Sequence, residues 1–226
     1  MAGLLLAGAL ALATLALWRG RPAPPDIVPV PDKLQVLSLD VKHFATVNGR
    51  RDPRERLLGK DSFVTHCDDS VTVEARLSRP AYAFLIAFRP DGTELVCFPE
   101  KEDEAPPRTD RLRYPSASTH DYRLEEGVGL QAFALVVSSQ PLPSFKEWWS
   151  RQGCPWQKSE APPDVVWRAY DGAEVEALTA DPSGPRAPRE VRGKASVARL
   201  ADWLSKRPQV EAVVVLGFAV MPKDKP

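Results

Sequence analysis

The stretch Ser70-Val71-Thr72-Val73-Glu74-Ala75-Arg76-Leu77-Ser78-Arg79-Pro80-Ala81-Tyr82-Ala83-Phe84-Leu85-Ile86-Ala87-Phe88 decides the fold. In its first half Val71, Val73, Ala75 and Leu77 alternate with Ser70, Thr72, Glu74 and Arg76, the period-two pattern of a strand with one wet face. From Ala81 the pattern changes. Tyr82, Phe84, Ile86 and Phe88 fall on one side and Ala83, Leu85 and Ala87 on the other, so both faces of this strand are expected to be buried.

Period two continues on either side of this segment. Arg89-Pro90-Asp91-Gly92 reads as a turn, with proline pre-setting φ and glycine taking the positive φ, so that 93–98 returns as a partner strand. Leu34, Val36, Leu37, Leu39 and Val41 open the domain; 128–137 and 210–220 are long apolar strands, the latter interrupted only by Glu211. A smaller hairpin is expected from 165–170 and 174–178, joined through Asp171-Gly172. Two helices interrupt the strands. Ser144-Phe145-Lys146-Glu147 is a capping box, with Leu142 placed to staple it. The second helix is expected to start at Ser196, because Val197, Leu200, Ala201 and Leu204 form an i, i+3, i+4, i+7 stripe, and Pro208 stops it. The segments 100–113 and 181–192, rich in proline and charge, read as mobile loops. The fold class is therefore mainly β, a sandwich-like domain with two docked helices.

Of the 226 residues 43% are hydrophobic, which suffices for a real core. Thirty Lys plus Arg balance thirty Asp plus Glu, so no broad attraction to polyanions is built in and no nucleic-acid partner is expected. Proline, at 23 residues, runs at about twice its usual share, which favours turns over long helices. Three scattered cysteines without a C-x-x-C pair form neither a disulfide framework nor a zinc ribbon.

Residues 1–18 carry no charged side chain, and a helix of that length is about 27 Å long, close to a thin hydrocarbon core. This reads as one transmembrane helix, a single-pass anchor that makes the membrane a partner. Ala11 and Ala13 also form an A-x-A cleavage pattern, but the apolar run continues past it and no basic residue precedes it. Trp18, Arg19 and Arg21 suit the interfacial end of a span. Counting Arg19, Arg21 and Lys33 after the span and none before it puts the domain in the cytoplasm; basic residues upstream of a clipped start would reverse this, so the side stays open. Residues 19–33 form a proline-rich linker, a stiff stalk of about 30 Å if extended as polyproline. The β-rich domain then occupies 34–221, with a short tail at 222–226.

The run Tyr82-Ala83-Phe84-Leu85-Ile86 through Asp91-Gly92 to Cys97-Phe98-Pro99, followed after an acidic loop by 124–138, resembles the bacterial family numbered 4384 among domains of unknown function. The likeness covers about 70–142, and the extension 143–221 resembles a longer, planctomycete-like form. It implies a β-sandwich, often found beside kinase or caspase-like domains or behind membrane spans, and no catalytic residues.

Candidate chemistry is sparse. His66-Cys67-Asp68-Asp69 is the one tight cluster of metal-ligand types, with Cys97 or His120 able to join only through folding, yet adjacent side chains of an extended segment point to opposite faces. It reads as a turn before a strand. There is no G-x-S-x-G elbow for a nucleophilic serine, no P-loop and no G-x-G-x-x-G, and Cys154 has no base beside it in sequence. Neither a catalytic residue, a metal nor a cofactor is expected. Glu100, Glu102, Asp103 and Glu104 lack calcium-loop spacing, and Arg50, Arg51, Arg54, Arg56 and Lys60 are diluted by acids; both groups read as solvated surface.

Trp148, Trp149, Trp156 and Trp167 place four of six tryptophans within twenty residues. Adjacent residues on a helix subtend about 100°, so one of Trp148 and Trp149 is expected to pack inward while the other stays partly wet. Phe145, Trp148, Trp149 and Trp156 are thus candidates for binding a protein partner, against the plainer reading that they cap the core. The leading functional expectation is a membrane-tethered, non-catalytic interaction or sensory module. An envelope assembly component and an enzyme with an unrecognised site are the alternatives.

Overall fold

The computed structural model describes residues 33–117, 120–158, 165–170, 174–179 and 188–223. The expected membrane helix and all of the linker but Lys33 lie outside them, as does the Asp171-Gly172 turn. Among the described residues no helix is long and apolar enough to cross a membrane.

The two strand patterns of the decisive segment form one strand. The chain runs β1 (Val36–Phe44), β2 (Thr46–Val47), β3 (Arg50–Arg51), β4 (Arg56–Leu57), β5 (Val64–His66), β6 (Ser70–Phe88), β7 (Glu94–Phe98), β8 (Thr109–Tyr114), β9 (Tyr122–Arg123), β10 (Gly129–Ser138), α1 (Phe145–Trp148), β11 (Val165–Tyr170), β12 (Glu174–Thr179), α2 (Pro188–Ser205) and β13 (Ala212–Met221). Along its 19 residues β6 changes partners. Residues up to Leu77 pair with β1, and Tyr82 to Phe88 pair with β10. Pro80 lies between the two pairings, where a residue without an N–H costs no ladder bond on either side, and the β8 register shifts across Arg76 and Ala81.

This exchange curls the sheet. Eleven strands form one sheet in the order β12-β11-β13-β10-β6-β1-β4, with β5 parallel to β13 and β7, β8 and β9 on β6. All other pairings are antiparallel. The result is a mainly β domain in which a curled, almost wholly antiparallel sheet carries two helices.

Alternation along β6, β10 and β13 distributes their side chains between two cores. The inner core gathers Val71, Val73, Ala83, Leu85, Phe133, Leu135, Leu216 and Phe218 with Leu39 and Val41 of β1. The outer core gathers Phe84, Ile86, Phe88, Ala134, Val136, Val213 and Val215 under the helices. Val197, Leu200, Ala201 and Leu204 of α2 are fully buried there, as the stripe requires.

Three expectations need correction. The second helix begins at Pro188 and not at Ser196. Its first two turns lack the apolar stripe, so periodicity could not reveal them, although proline suits a first helical position. The segment 100–113 is not wholly loop, since Thr109 opens β8 and pairs with β6. Ser70 and Thr72 are also dry, and Thr72 Oγ1 donates to Asp121 Oδ1 at 3.1 Å.

Glycines set how closely α2 lies on the sheet. A Cβ on Gly217 of β13 would stand 2.5 Å from Val197 Cγ2, and one on Gly193 would stand 2.8 Å from the Trp167 ring. Side chains there would push the helix outward.

Candidate functional site

The aromatic group around α1 is built by its cap. Ser144 Oγ accepts from Glu147 N, and a Glu147 carboxylate oxygen accepts from Ser144 N. The helix lasts one turn, and Trp149 already has extended backbone, φ −75° and ψ 133°. That break lets adjacent tryptophans diverge.

Phe145, Trp148 and Trp156 are 4%, 7% and 3% exposed, which makes them part of the outer core. Phe84 meets Phe145 at 5.4 Å and Trp148 at 5.0 Å between ring centroids, and Phe88 meets Trp156 at 5.6 Å. Their polar atoms are satisfied inside: Trp148 Nε1 donates to Pro208 O and Trp156 Nε1 to Arg89 O. These three rings hold the layer together. Trp149 is different. It is half-buried, stacks on Phe145 at 5.3 Å and donates its Nε1 proton to Glu94 Oε1 at 2.9 Å.

Beside it stands a residue that the sequence reading passed over. Trp203 of α2 is half-buried and meets Trp149 edge to face, with centroids 5.5 Å apart. The Arg207 guanidinium lies 5.0 Å over the Trp203 ring and 5.3 Å over Trp148, while its Nη2 donates to Trp148 O. Arg151 pairs with Glu94. Two half-wet indoles framed by arginines have the composition of an interface centre. Trp203 adjoins the buried stripe at Leu204, so an aromatic at the margin of a helix's apolar face was the available signal.

A second constellation, also unforeseen, joins His43 of β1, Ser62 of the loop after β4, and Asp69 before β6. His43 Nδ1 is 2.9 Å from Ser62 Oγ, and His43 Nε2 is 2.9 Å from Asp69 Oδ2. Asp69 also accepts from the amides of Thr46 at 2.7 Å and His66 at 2.8 Å. Burial opposes ionisation of Asp69, but the bonds from His43, Thr46 and His66 outweigh it and hold the carboxyl below its ordinary range. The residue types are those of a nucleophilic serine and its base. Their exposure is not: His43, Ser62 and Asp69 are 2%, 8% and 2% exposed, and Ser62 Oγ is also 3.3 Å from Val64 O. The chain of bonds ties together β1, the 57–62 loop and the turn into β6.

The remaining candidates are dispersed. His66 ends β5 and Cys67 N bonds to Met221 O, in the turn completed by Asp68 at φ 78°. Among the described residues no three His, Cys, Asp or Glu side chains gather as metal ligands. Burial pushes the Cys97 thiol up to about 12 and also raises Cys67 and Cys154, which opposes thiolate formation. Lys101 pairs with Glu104, Glu100 accepts from Ser116 N, and Arg54 and Arg56 pair with Asp52, as surface groups do. Arg51 pairs with Asp121, while Arg50 and Lys60 are exposed.

No family model matches the chain, and no match was found among curated proteins or solved structures.

Proposed function

We propose that this chain is a membrane-tethered, non-catalytic β-rich interaction or sensory module, anchored through 1–18 and contacting a protein partner through the Trp149–Trp203 face. The observation that carries the proposal is the meeting of these two half-buried indoles from separate elements, edge to face and flanked by Arg207 and Arg151. Such rings give large contact area at little entropic cost, and they are what interface centres are made of. The absence of catalysis is supported by the burial of Ser62, His43 and Asp69 and by thiols raised above their ordinary range.

The curled sheet is read here as sandwich-like, because one inner core joins β1 and the first half of β6 to β10 and β13. That reading agrees with the likeness of 70–142 to family 4384, which belongs to the same proposal. Fractionation of cells expressing the full chain tests the tether: it should stay with membranes after carbonate washing and be released only by detergent. Release by carbonate with the N-terminal peptide intact would remove the tether from the account.

A further inference from the structure

Six buried side-chain nitrogen or oxygen atoms lack a hydrogen-bond partner among the described residues, and four of them belong to three residues: Arg89 Nε, Glu126 Oε2, and Gln131 Oε1 and Nε2. Arg89 and Glu126 pair with each other, and the strand register sets Gln131 next to Arg89. Ala132 of β10 pairs with Phe88 of β6, so one further step of the antiparallel register sets Gln131 beside Arg89. Gln131 alternates with Ala132 and therefore shares the inner face with Phe133, while Arg89 alternates with the outward Phe88 and points the same way. Glu126 reaches in from the loop before β10, its Oε1 lying 3.5 Å from Arg89 Nε and 2.6 Å from the Tyr122 hydroxyl that donates to it.

Gln131 is fully buried, with the Phe133 and Phe218 rings in the same inner core. A carboxamide with neither its donors nor its acceptor used is costly in such surroundings, where an apolar residue of similar size would serve packing better. Its neighbours supply complementary functions: Arg89 Nε offers a proton and Glu126 Oε2 a lone pair. Arg89 and Glu126 already pair with each other, so a group lodged beside the pair and Gln131 need carry no net charge.

We propose that Arg89, Glu126 and Gln131 form a binding site for a small neutral group that both donates and accepts hydrogen bonds. Such a group accepts from Arg89 Nε–H and Gln131 Nε2–H and donates to Glu126 Oε2 and Gln131 Oε1. An ordered water has this chemistry, with the two to four polar partners that a buried water requires. A primary carboxamide has it too. The site is independent of whether the Trp149–Trp203 face binds a partner.

Nuclear magnetic resonance of the detergent-solubilised full chain tests the site, with acetamide as the carboxamide probe. A persistent rotating-frame cross-relaxation peak from water to the Arg89 Nε–H and Gln131 side-chain N–H protons, unchanged by acetamide, assigns the site to water. A saturable shift of the same protons with acetamide, absent with the isosteric apolar isobutene, assigns it to a carboxamide. Either result supports the site, and in Gln131→Leu the corresponding Arg89 signal should be lost. The proposal is overturned if neither signal occurs in the wild-type chain, or if Gln131 bonds Arg89 and Glu126 directly with nothing between them. The wild-type measurement decides the matter even if the variant does not fold.

Discussion

His43 Nε2 and Asp69 Oδ2 lie 2.9 Å apart with both side chains only 3% exposed, which makes them the most deeply buried ion-pair geometry among the described residues. Removing the carboxylate charge leaves an imidazole and two backbone amides with a weaker acceptor. Asp69→Asn should lower unfolding stability at pH 7 by about 2–4 kcal/mol, measured by urea titration. The sign with pH follows from Asp69, whose folded-state value is depressed. Its contribution is fully present above the unfolded value of about 4 and is lost as pH falls through the lower folded value, so the wild-type advantage should shrink below about pH 4. An advantage that grows on acidification would contradict this assignment.

A Cβ at Gly217 would stand 2.5 Å from Val197 Cγ2 of α2, closer than real Cβ contacts come. Gly217→Ala should destabilise the domain by about 1–3 kcal/mol, because neither β13 nor the fully buried Val197 can yield freely. The double variant Gly217→Ala with Val197→Ala should recover part of that loss, since the second change removes the methyl that clashes. Thermal unfolding of the four proteins measures the coupling directly, and strict additivity would show that the clash is not the cause.

Cys97 is fully buried and its thiol is pushed up to about 12, whereas Cys67 and Cys154 are only half-buried. At pH 8 iodoacetamide should therefore modify Cys67 and Cys154 well before Cys97, which should react at an appreciable rate only after denaturation. Peptide mass mapping over time reads the order. Early labelling of Cys97 in folded protein would mean that the strand carrying it opens.

The long apolar strands were legible because each side chain reports its face through a two-residue period, whereas β2 to β5, β8 and β9 are too short or too polar to show one. Tyr82, Phe84, Ile86 and Phe88 do separate from Ala83, Leu85 and Ala87 into the outer and inner cores. The fusion of two patterns into β6 was not legible, since Pro80 punctuates the sequence as a strand end and only the exchange of β1 for β10 makes it a bend. The site was legible in part. That one of Trp148 and Trp149 packs inward while the other stays partly wet was legible, and so was the capping box, but the cause was not: the helix ends at Trp148, and the extended backbone of Trp149, not a 100° helical step, parts the two rings. Trp203 was hidden because it comes from another element 54 positions after Trp149, and contact between such residues is a property of the sheet beneath them. His43, Ser62 and Asp69 were hidden for the same reason: 19 and 26 residues separate His43 from its two partners, and no local motif spans that distance.

Burial separates the roles of the aromatic rings. Trp148→Ala should cost about 3–5 kcal/mol of stability by removing a ring packed on Phe84, while Trp203→Ala should cost much less because its ring is partly wet. Calorimetry of the two variants makes the comparison. Equal losses would place Trp203 in the core as well.

The central claim, a partner held at the Trp149–Trp203 face, is tested most directly by site-specific photocrosslinking in cells. The full chain would carry p-benzoylphenylalanine in place of Trp203, and a control chain would carry it in place of exposed Arg111 on β8. The account predicts one discrete crosslinked protein from position 203, none from position 111, and a fall of about 30-fold in affinity for that protein on Trp149→Ala, equivalent to about 2 kcal/mol. The same background at both positions, or a crosslinked protein whose affinity is indifferent to Trp149→Ala, would contradict it.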